Sequence, residues 1–128
     1  MAMTWFPTNR AIAFLSEELK LEASGKEQDW DVELADPHRI EQFLKYYLKN
    51  AKNLEQETRR ALIALILSSF EDSFYSSSFN IFLWKQFENI LIDDGFQYIE
   101  VIKPWLKKSA DEFFISSYLR LVIDRIVD

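Results

Sequence analysis

The stretch ALIALILSSFEDSF, residues 61–74, is the most hydrophobic part of the chain, so its place in the structure bears on every other segment. Seven consecutive apolar residues, Ala61 to Leu67, lie between the pair Arg59–Arg60 and the acidic pair Glu71–Asp72. A helix that crosses a bilayer needs about 20 largely apolar residues, so this run is too short to span a membrane. A helix that is apolar on all sides is typical of one with neighbours all around it. We therefore predict a central helix over 54–75.

The composition of the whole chain indicates a single all-α domain, residues 1–128. The 128 residues are 48% hydrophobic and 16% aromatic, which is ample for a core. Two glycines and three prolines are few for an all-β fold, which needs turn residues every 8–12 positions or so. The absence of cysteine excludes a disulfide framework and is compatible with a reducing compartment. With no signal peptide recognisable at the N-terminus, we expect a cytoplasmic protein.

Apolar residues recur at helical spacing along most of the chain and predict about six helices. The first and second of these helices span about 8–23 and 37–52, and the central helix is the third. The fourth ends near 93–95, and the fifth and sixth span about 96–107 and 109–127. Asp36 and Pro37 suit the N-cap and first position of the second helix. Pro104 predicts a kink in the fifth helix or a split at the preceding residue, and residues 109–112 form a capping box. Since no repeat of fixed period is present, an irregular or orthogonal bundle is expected.

The net charge of −6 is concentrated in residues 17–36. This segment has eight acidic and two basic residues, whereas the remaining 108 residues have thirteen of each. Within it, QDWDVELAD (28–36) is the core of a predicted non-helical connection over about 24–36. Trp30, Val32 and Leu34 alternate with acids at a period of two, which is typical of an extended segment. Such a segment has one apolar edge and one carboxylate edge.

The acidic connection has two interpretations. Its three apolar residues could hold it against the bundle while the acids face water, because burial of a large apolar side chain contributes roughly 1.5–3 kcal/mol. Alternatively, the carboxylate edge docks a basic protein partner, with an exposed tryptophan as the anchor. On the second interpretation we predict partner contacts at Asp29, Trp30, Asp31 and Glu33.

No motif indicates catalysis, a metal or a cofactor, so none of these is predicted. His38 is the single histidine, whereas a metal site usually needs three or four protein ligands. Glu71 and Asp72 are adjacent on a helix, so their side chains point about 100° apart, which disfavours one small catalytic site. Phosphate-binding glycine loops are absent. Nucleic-acid binding is disfavoured by the negative charge and the lack of a basic patch.

Aromatic residues allow two further functional alternatives. Trp5, Trp84 and Trp105 suit a plain core, but they could also line a pocket between helices. Together with Glu71 or Asp72, such a pocket would indicate an enzyme or a small-ligand binder. The stretches FNIFLW (79–84) and EFFISSYL (112–119) present apolar groups on more than one face. They fit either double burial or an oligomer or partner surface, such as a homodimer interface. A helical adaptor or dimerisation domain is a further alternative for the protein as a whole.

The order of segments resembles that of a known class of proteins. The chain is similar to small acidic all-helical bacterial proteins in the order of three segments. These are DWDVELADPHRIEQFL (29–44), RRALIALILSSFEDS (59–73) and a tryptophan-containing helix. Some of these accompany toxins as immunity proteins. The resemblance covers roughly residues 29–90 and implies a cytoplasmic inhibitor that binds and blocks a cognate toxin, often a basic nuclease. It implies no role for individual residues.

Overall fold

The computed structural model describes residues 5–106 and 113–127. Within these residues the chain is all-α and contains no strand, as predicted. The helices are α1 (Asn9–Glu18), α2 (Trp30–Glu33), α3 (Ile40–Asn50), α4 (Gln56–Tyr75), α5 (Ile81–Asp94), α6 (Ile99–Ile102) and α7 (Ser116–Val127). Short 3-10 segments at Ala51–Asn53, Gly95–Tyr98 and Lys103–Trp105 connect some of them.

The central position predicted for α4 is confirmed. It packs against α1, α2, α3 and α6, and every residue from Ala61 to Glu71 is buried. Phe70 joins it to α5, with its ring stacked on Phe87 at 5.4 Å and edge-on to Trp84 at 5.1 Å. Neighbours on several sides explain the uniform apolar character of this helix. None of the helices in the described part of the chain combines the length and the apolar character needed to cross a membrane.

The first helix is shorter than predicted. Thr8 caps its start, since the Thr8 Oγ1 accepts a hydrogen bond from the Ala11 N–H at 3.1 Å. It ends at Glu18 rather than near residue 23, because Lys20 adopts a left-handed conformation with φ of 53°. The Leu21 N–H then returns to the Ser16 carbonyl at 2.9 Å, which closes the helix in a Schellman motif. The predicted end near residue 23 lies beyond this turn.

The prediction of an extended segment over 28–36 is wrong, because Trp30–Glu33 forms one helical turn. The carboxylate of Glu33 accepts a hydrogen bond from the Asp29 N–H at 2.9 Å and so braces the turn. A helical turn brings residues i and i+4 to the same side. Trp30 is accordingly buried and Leu34 half-buried, whereas Val32 is 54% exposed. An extended segment would instead have placed Val32 beside Trp30.

The start of α3 also differs from the prediction. Asp36 and Pro37 lie in a turn that precedes the helix, and the Asp36 Oδ1 accepts a hydrogen bond from the His38 N–H at 2.9 Å. The helix begins only at Ile40, with Arg39 at its N-cap. A side-chain hydrogen bond two residues along the chain favours such a local turn over a cap. The turn brings the Asp36 N–H within 3.0 Å of the Ser69 Oγ on α4.

The remaining elements mix confirmed and corrected predictions. The fourth predicted helix, α5, ends at Asp94 as expected. The fifth predicted helix is broken into Gly95–Tyr98, α6 and Lys103–Trp105, and the split that Pro104 predicted occurs directly after Ile102. The predicted capping box at 109–112 lies outside the described residues, and the described last helix begins at Ser116.

Candidate functional site

A cleft of about 1000 Å³ opens along one face of α4. The segment before α1, the α2 turn, and α6 with the residues after it form its walls. Five aromatic side chains line it: Trp5, Phe6, Tyr75, Trp105 and Phe113. Five carboxylates also line it: Asp29, Asp31, Glu71, Asp72 and Glu100. The cleft is therefore both aromatic and acidic.

Small residues on α4 make room for the cleft. Ala64, Ser68 and Asp72 follow one another at i, i+4 and i+8, and Tyr75 continues the same stripe at i+11. Elsewhere on α4 the buried positions are filled mostly by leucine, isoleucine and phenylalanine. The open space follows from this local change in side-chain volume.

Asp31 reaches the cleft from the α2 wall. Its Oδ2 accepts a hydrogen bond from the Ser68 Oγ on the cleft floor at 3.2 Å. Burial raises the pKa of the Asp31 carboxyl above its ordinary value of 3.8, while the Ser68 hydroxyl acts against this rise and the charge of Asp29 adds to it. The ionised form of Asp31 is thus incompletely solvated in the folded protein.

Asp72 reaches the cleft from the floor. Its side chain takes part in no ion pair or side-chain hydrogen bond within the described part of the chain. Burial raises the pKa of its carboxyl above the ordinary value of 3.8. Asp72 is therefore a carboxylate with room for a cationic partner.

The adjacent Glu71 has a structural role. It is 5% exposed, and its two carboxylate oxygens accept hydrogen bonds from the Phe114 N–H at 3.2 Å and the Ile115 N–H at 3.0 Å. These amides directly precede α7, so Glu71 fixes the start of that helix. Buried carboxylates commonly pair with Arg or Lys, but for Glu71 two backbone amides take that place. Both acids border the cleft, yet only Asp72 is free of internal partners among the described residues.

Contacts outside the cleft position its aromatic walls. The Trp5 indole N–H donates to the Glu57 carboxylate at 3.1 Å. The ring of Trp105 lies 4.7 Å from that of Phe113. Tyr75, 73% exposed, stands at the rim. These rings provide faces on which a flat or cationic group can stack.

The four predicted partner-binding residues separate in the structure. Asp29 and Asp31 line the cleft. Glu33 is exposed next to them and braces the α2 turn. Trp30 is 2% exposed and donates its indole N–H to the Ser16 Oγ at 3.1 Å, so it is a core residue rather than a surface anchor. The structure thus favours the first interpretation of Trp30, in which it holds the connection against the bundle.

The acidic segment 17–36 lacks internal charge compensation. Among the residues that the structure describes, none of its eight carboxylates takes part in an ion pair. Several are held by neutral donors of the same loop instead. For example, Glu27 accepts hydrogen bonds from the Ser24 hydroxyl and N–H, which lower the pKa of its carboxyl. The charges are ordered but not neutralised.

Positive charge in the cleft is already engaged. Lys103 is the one basic residue among the described lining residues, and its Nζ lies 3.2 Å from the Glu100 Oε1. With this pair neutralised and Glu71 held by backbone amides, Asp29, Asp31 and Asp72 are the uncompensated charges among the lining residues that the structure describes. The cleft therefore attracts cations and repels anions.

The cleft holds no evident catalytic constellation among its described residues. Its lining contains neither His38, which is exposed elsewhere, nor a cysteine. Ser68 donates to Asp31 directly, without the intervening base that would activate a serine nucleophile. Within residues 5–106 and 113–127, no three His, Cys, Asp or Glu side chains are grouped to hold a metal ion.

The two aromatic stretches noted in the sequence are partly exposed. In 79–84, Trp84 belongs to the core, whereas Phe82 is 76% exposed. In the described part of 112–119, Ile115 is buried and Phe114 is 51% exposed. A homodimer or partner surface at these residues stays a prediction.

Sequence reasoning missed the cleft as a unit. It proposed Trp5, Trp105 and Asp72 for a pocket, and Asp29 and Asp31 for a different surface, yet all five line one cleft. A usable signal was the small and polar spacing of Ala64, Ser68 and Asp72 within an otherwise apolar helix. Comparison of the chain with protein-family models, curated proteins and solved structures found no match.

Proposed function

We propose that the protein is a non-enzymatic interaction protein that binds a basic protein partner through the acidic segment 17–36 and the adjoining cleft. The observation that carries this proposal is the absence of ion pairs from the eight carboxylates of that segment, within the described residues. An uncompensated local charge of −6 accelerates encounter with a positively charged surface and discriminates against acidic ones.

Immunity-type inhibition in the cytoplasm is the most specific form of this proposal. It rests on the resemblance of residues 29–90 to small acidic bacterial immunity proteins. Nucleases bind a polyanion and are therefore basic around their active sites. An acidic protein that covers such a site blocks access of the nucleic acid without any chemistry of its own.

Capture of the partner tests the proposal. The tagged protein is incubated at low salt with lysate of its native cells, and retained proteins are identified by mass spectrometry. We expect one basic protein, and its loss in high salt, because charge attraction is screened there. The triple variant Asp29→Asn, Asp31→Asn, Glu33→Gln should retain at least about tenfold less of it, since each lost charge pair is worth about 1.5 kcal/mol or more.

A second triple variant provides the matched control. Glu41→Gln, Asp93→Asn and Asp124→Asn removes the same charge from exposed positions outside segment 17–36. In the first variant, the amide side chains introduced at positions 31 and 33 keep a carbonyl acceptor for the Ser68 hydroxyl and the Asp29 N–H, so the fold should be preserved. Equal capture by both variants, or capture that survives high salt, would contradict the proposal.

Small-ligand binding is a second candidate because the cleft volume of about 1000 Å³ is at the upper end of the roughly 300–1,000 Å³ range of ligand pockets. Native mass spectrometry of the protein purified from its own cells tests this candidate. A bound metabolite that is lost in the Asp72→Asn variant would support it over protein binding.

A further inference from the structure

The cleft brings two kinds of recognition group, carboxylates and aromatic rings, to the lining of one space. Asp31 comes from the α2 wall and Asp72 from the α4 floor. Trp5 and Trp105 come from two further segments of the chain. Carboxylates that face the same cleft as aromatic rings are the groups that recognise organic cations in proteins, by ion pairing and by cation–π attraction.

The charge balance of the cleft selects a cation over other ligands. Lys103 is paired with Glu100, and Glu71 is occupied by the Phe114 and Ile115 amides. Asp72, by contrast, has no internal partner within the described chain. A cation that enters the cleft would replace the water that the Asp31 and Asp72 carboxylates have lost through burial.

Arginine fits this environment better than lysine does. Its guanidinium group is planar and more weakly hydrated than an ammonium group. It can stack on an aromatic ring and at the same time pair with a carboxylate through two parallel hydrogen bonds. Exposed Phe6 and Val32, 66% and 54% exposed, border the same cleft and offer contacts for apolar neighbours in sequence.

We propose that the cleft binds an arginine side chain, flanked by apolar residues, from the protein partner. The guanidinium group lies between Asp31 and Asp72, with its plane against one of the tryptophan rings. This inference rests on the proposed function and names the group by which the basic partner is recognised.

Calorimetric titration with the blocked tripeptide acetyl-Leu-Arg-Leu-amide tests the inference without the partner. We expect saturable binding with a Kd of about 1 mM or tighter, as suits a ligand of this size. The matched peptide contains citrulline, which has nearly the shape of arginine but no charge. It should bind at least about tenfold more weakly, because a charge-assisted hydrogen bond is lost.

Two protein variants separate local contact from long-range charge. Asp72→Asn should weaken binding of the arginine peptide about tenfold or more. Glu17→Gln removes the same charge from the exposed surface of α1, outside the cleft. At physiological salt, where screening acts over about 8 Å, it should change the Kd less than about twofold. Circular dichroism and thermal melting verify that both variants are folded.

The outcomes distinguish this inference from the proposed function. Equal affinity for the arginine and citrulline peptides, no saturable binding of either, or equal effects of the two variants would each overturn the arginine site. A basic partner captured in any of these cases would still support the proposed function. Conversely, arginine-specific binding that depends on Asp72 supports the site even when no partner is captured.

Discussion

The two sides of α4 show how one helix serves both stability and binding. On the side toward α5, Phe70 packs closely against Phe87 and Trp84 and leaves no room for a ligand. On the other side, Ala64 and Ser68 leave a cleft of about 1000 Å³. Filled space stabilises the fold through apolar burial and dispersion, whereas open space leaves side chains free for a partner. The contrast predicts opposite consequences for substitutions on the two sides.

The largest difference is expected between two aromatic residues of α4. Phe70→Ala removes a fully buried ring and should lower the free energy of unfolding by about 3–5 kcal/mol. Tyr75→Ala, at the 73% exposed rim position, should change it by less than about 0.5 kcal/mol. Urea denaturation measures both. Similar losses for the two variants would break the distinction between a packed side and an open side.

The acidic pair gives the next contrast. Glu71→Gln places the NH₂ group of the new side chain against a backbone N–H before α7, so two donors face each other. This should lower the free energy of unfolding by about 1–3 kcal/mol. Asp72→Asn removes a carboxylate without an internal partner in the described chain, so it should not lower the free energy of unfolding. Denaturation at pH 7 compares them. A larger cost for Asp72→Asn would show that the roles of the two acids are reversed.

Two alanines test the open space directly. Ala61→Leu adds volume to a position that is 0% exposed and lies outside the cleft, and should cost about 1–3 kcal/mol by overpacking. Ala64 is also buried, at 2% exposed, but it borders the cleft, so the volume added by Ala64→Leu can enter open space and should cost less than Ala61→Leu does. Ala64→Leu should also prevent saturable binding of the arginine peptide. If Ala64→Leu destabilises the protein as much as Ala61→Leu, the space beside α4 is not open in solution.

The smallest expected effect is a change in pH dependence. Burial raises the pKa of Asp31 and Asp72 in the folded protein, so the folded state retains these protons to higher pH than the unfolded chain does. Each group therefore makes the free energy of unfolding fall as pH rises from the ordinary carboxyl pKa of 3.8 through the raised value.

The double variant Asp31→Asn, Asp72→Asn should lose this fall. Relative to the parent protein it should gain stability across that pH window and keep the gain at pH 7. Chemical denaturation at a series of pH values measures the difference. The quantity to compare is the free energy of unfolding of the double variant minus that of the parent. If this difference is lower at pH 7 than at pH 3, the assignment of both carboxylates to a desolvated cleft is contradicted.

Local signals in the sequence account for most helices but misplace several ends. The central helix and the end of α5 followed from apolar spacing alone. The end of α1 did not, because Lys20 takes a left-handed conformation that its side chain does not favour. The α2 turn was missed because the pattern of Trp30, Val32 and Leu34 fits two structures. An extended segment would bury all three residues, whereas a helical turn buries only Trp30 and Leu34, which are four residues apart.

The candidate site was foreseen in pieces. Local charge indicates Asp29 and Asp31, whereas the aromatic and acidic residues of other segments indicate Trp5, Trp105 and Asp72 for a separate pocket. Their union in one cleft depends on contacts between distant segments, such as the hydrogen bond between Ser68 and Asp31, which are 37 residues apart. Trp30 shows another case, since the sequence leaves open whether it is an exposed anchor or a core residue, and its burial to 2% exposure decides for the core.

The all-α class, the central place of α4 and the location of the negative charge can be read from the sequence alone. These properties depend on helical periodicity, apolar content and composition, which are local and additive along the chain. The division of roles between Glu71, which holds the start of α7, and Asp72, which faces an open cleft, arises from tertiary packing. That division depends on amides 43 and 44 residues away, and no local pattern encodes the direction in which such distant partners approach.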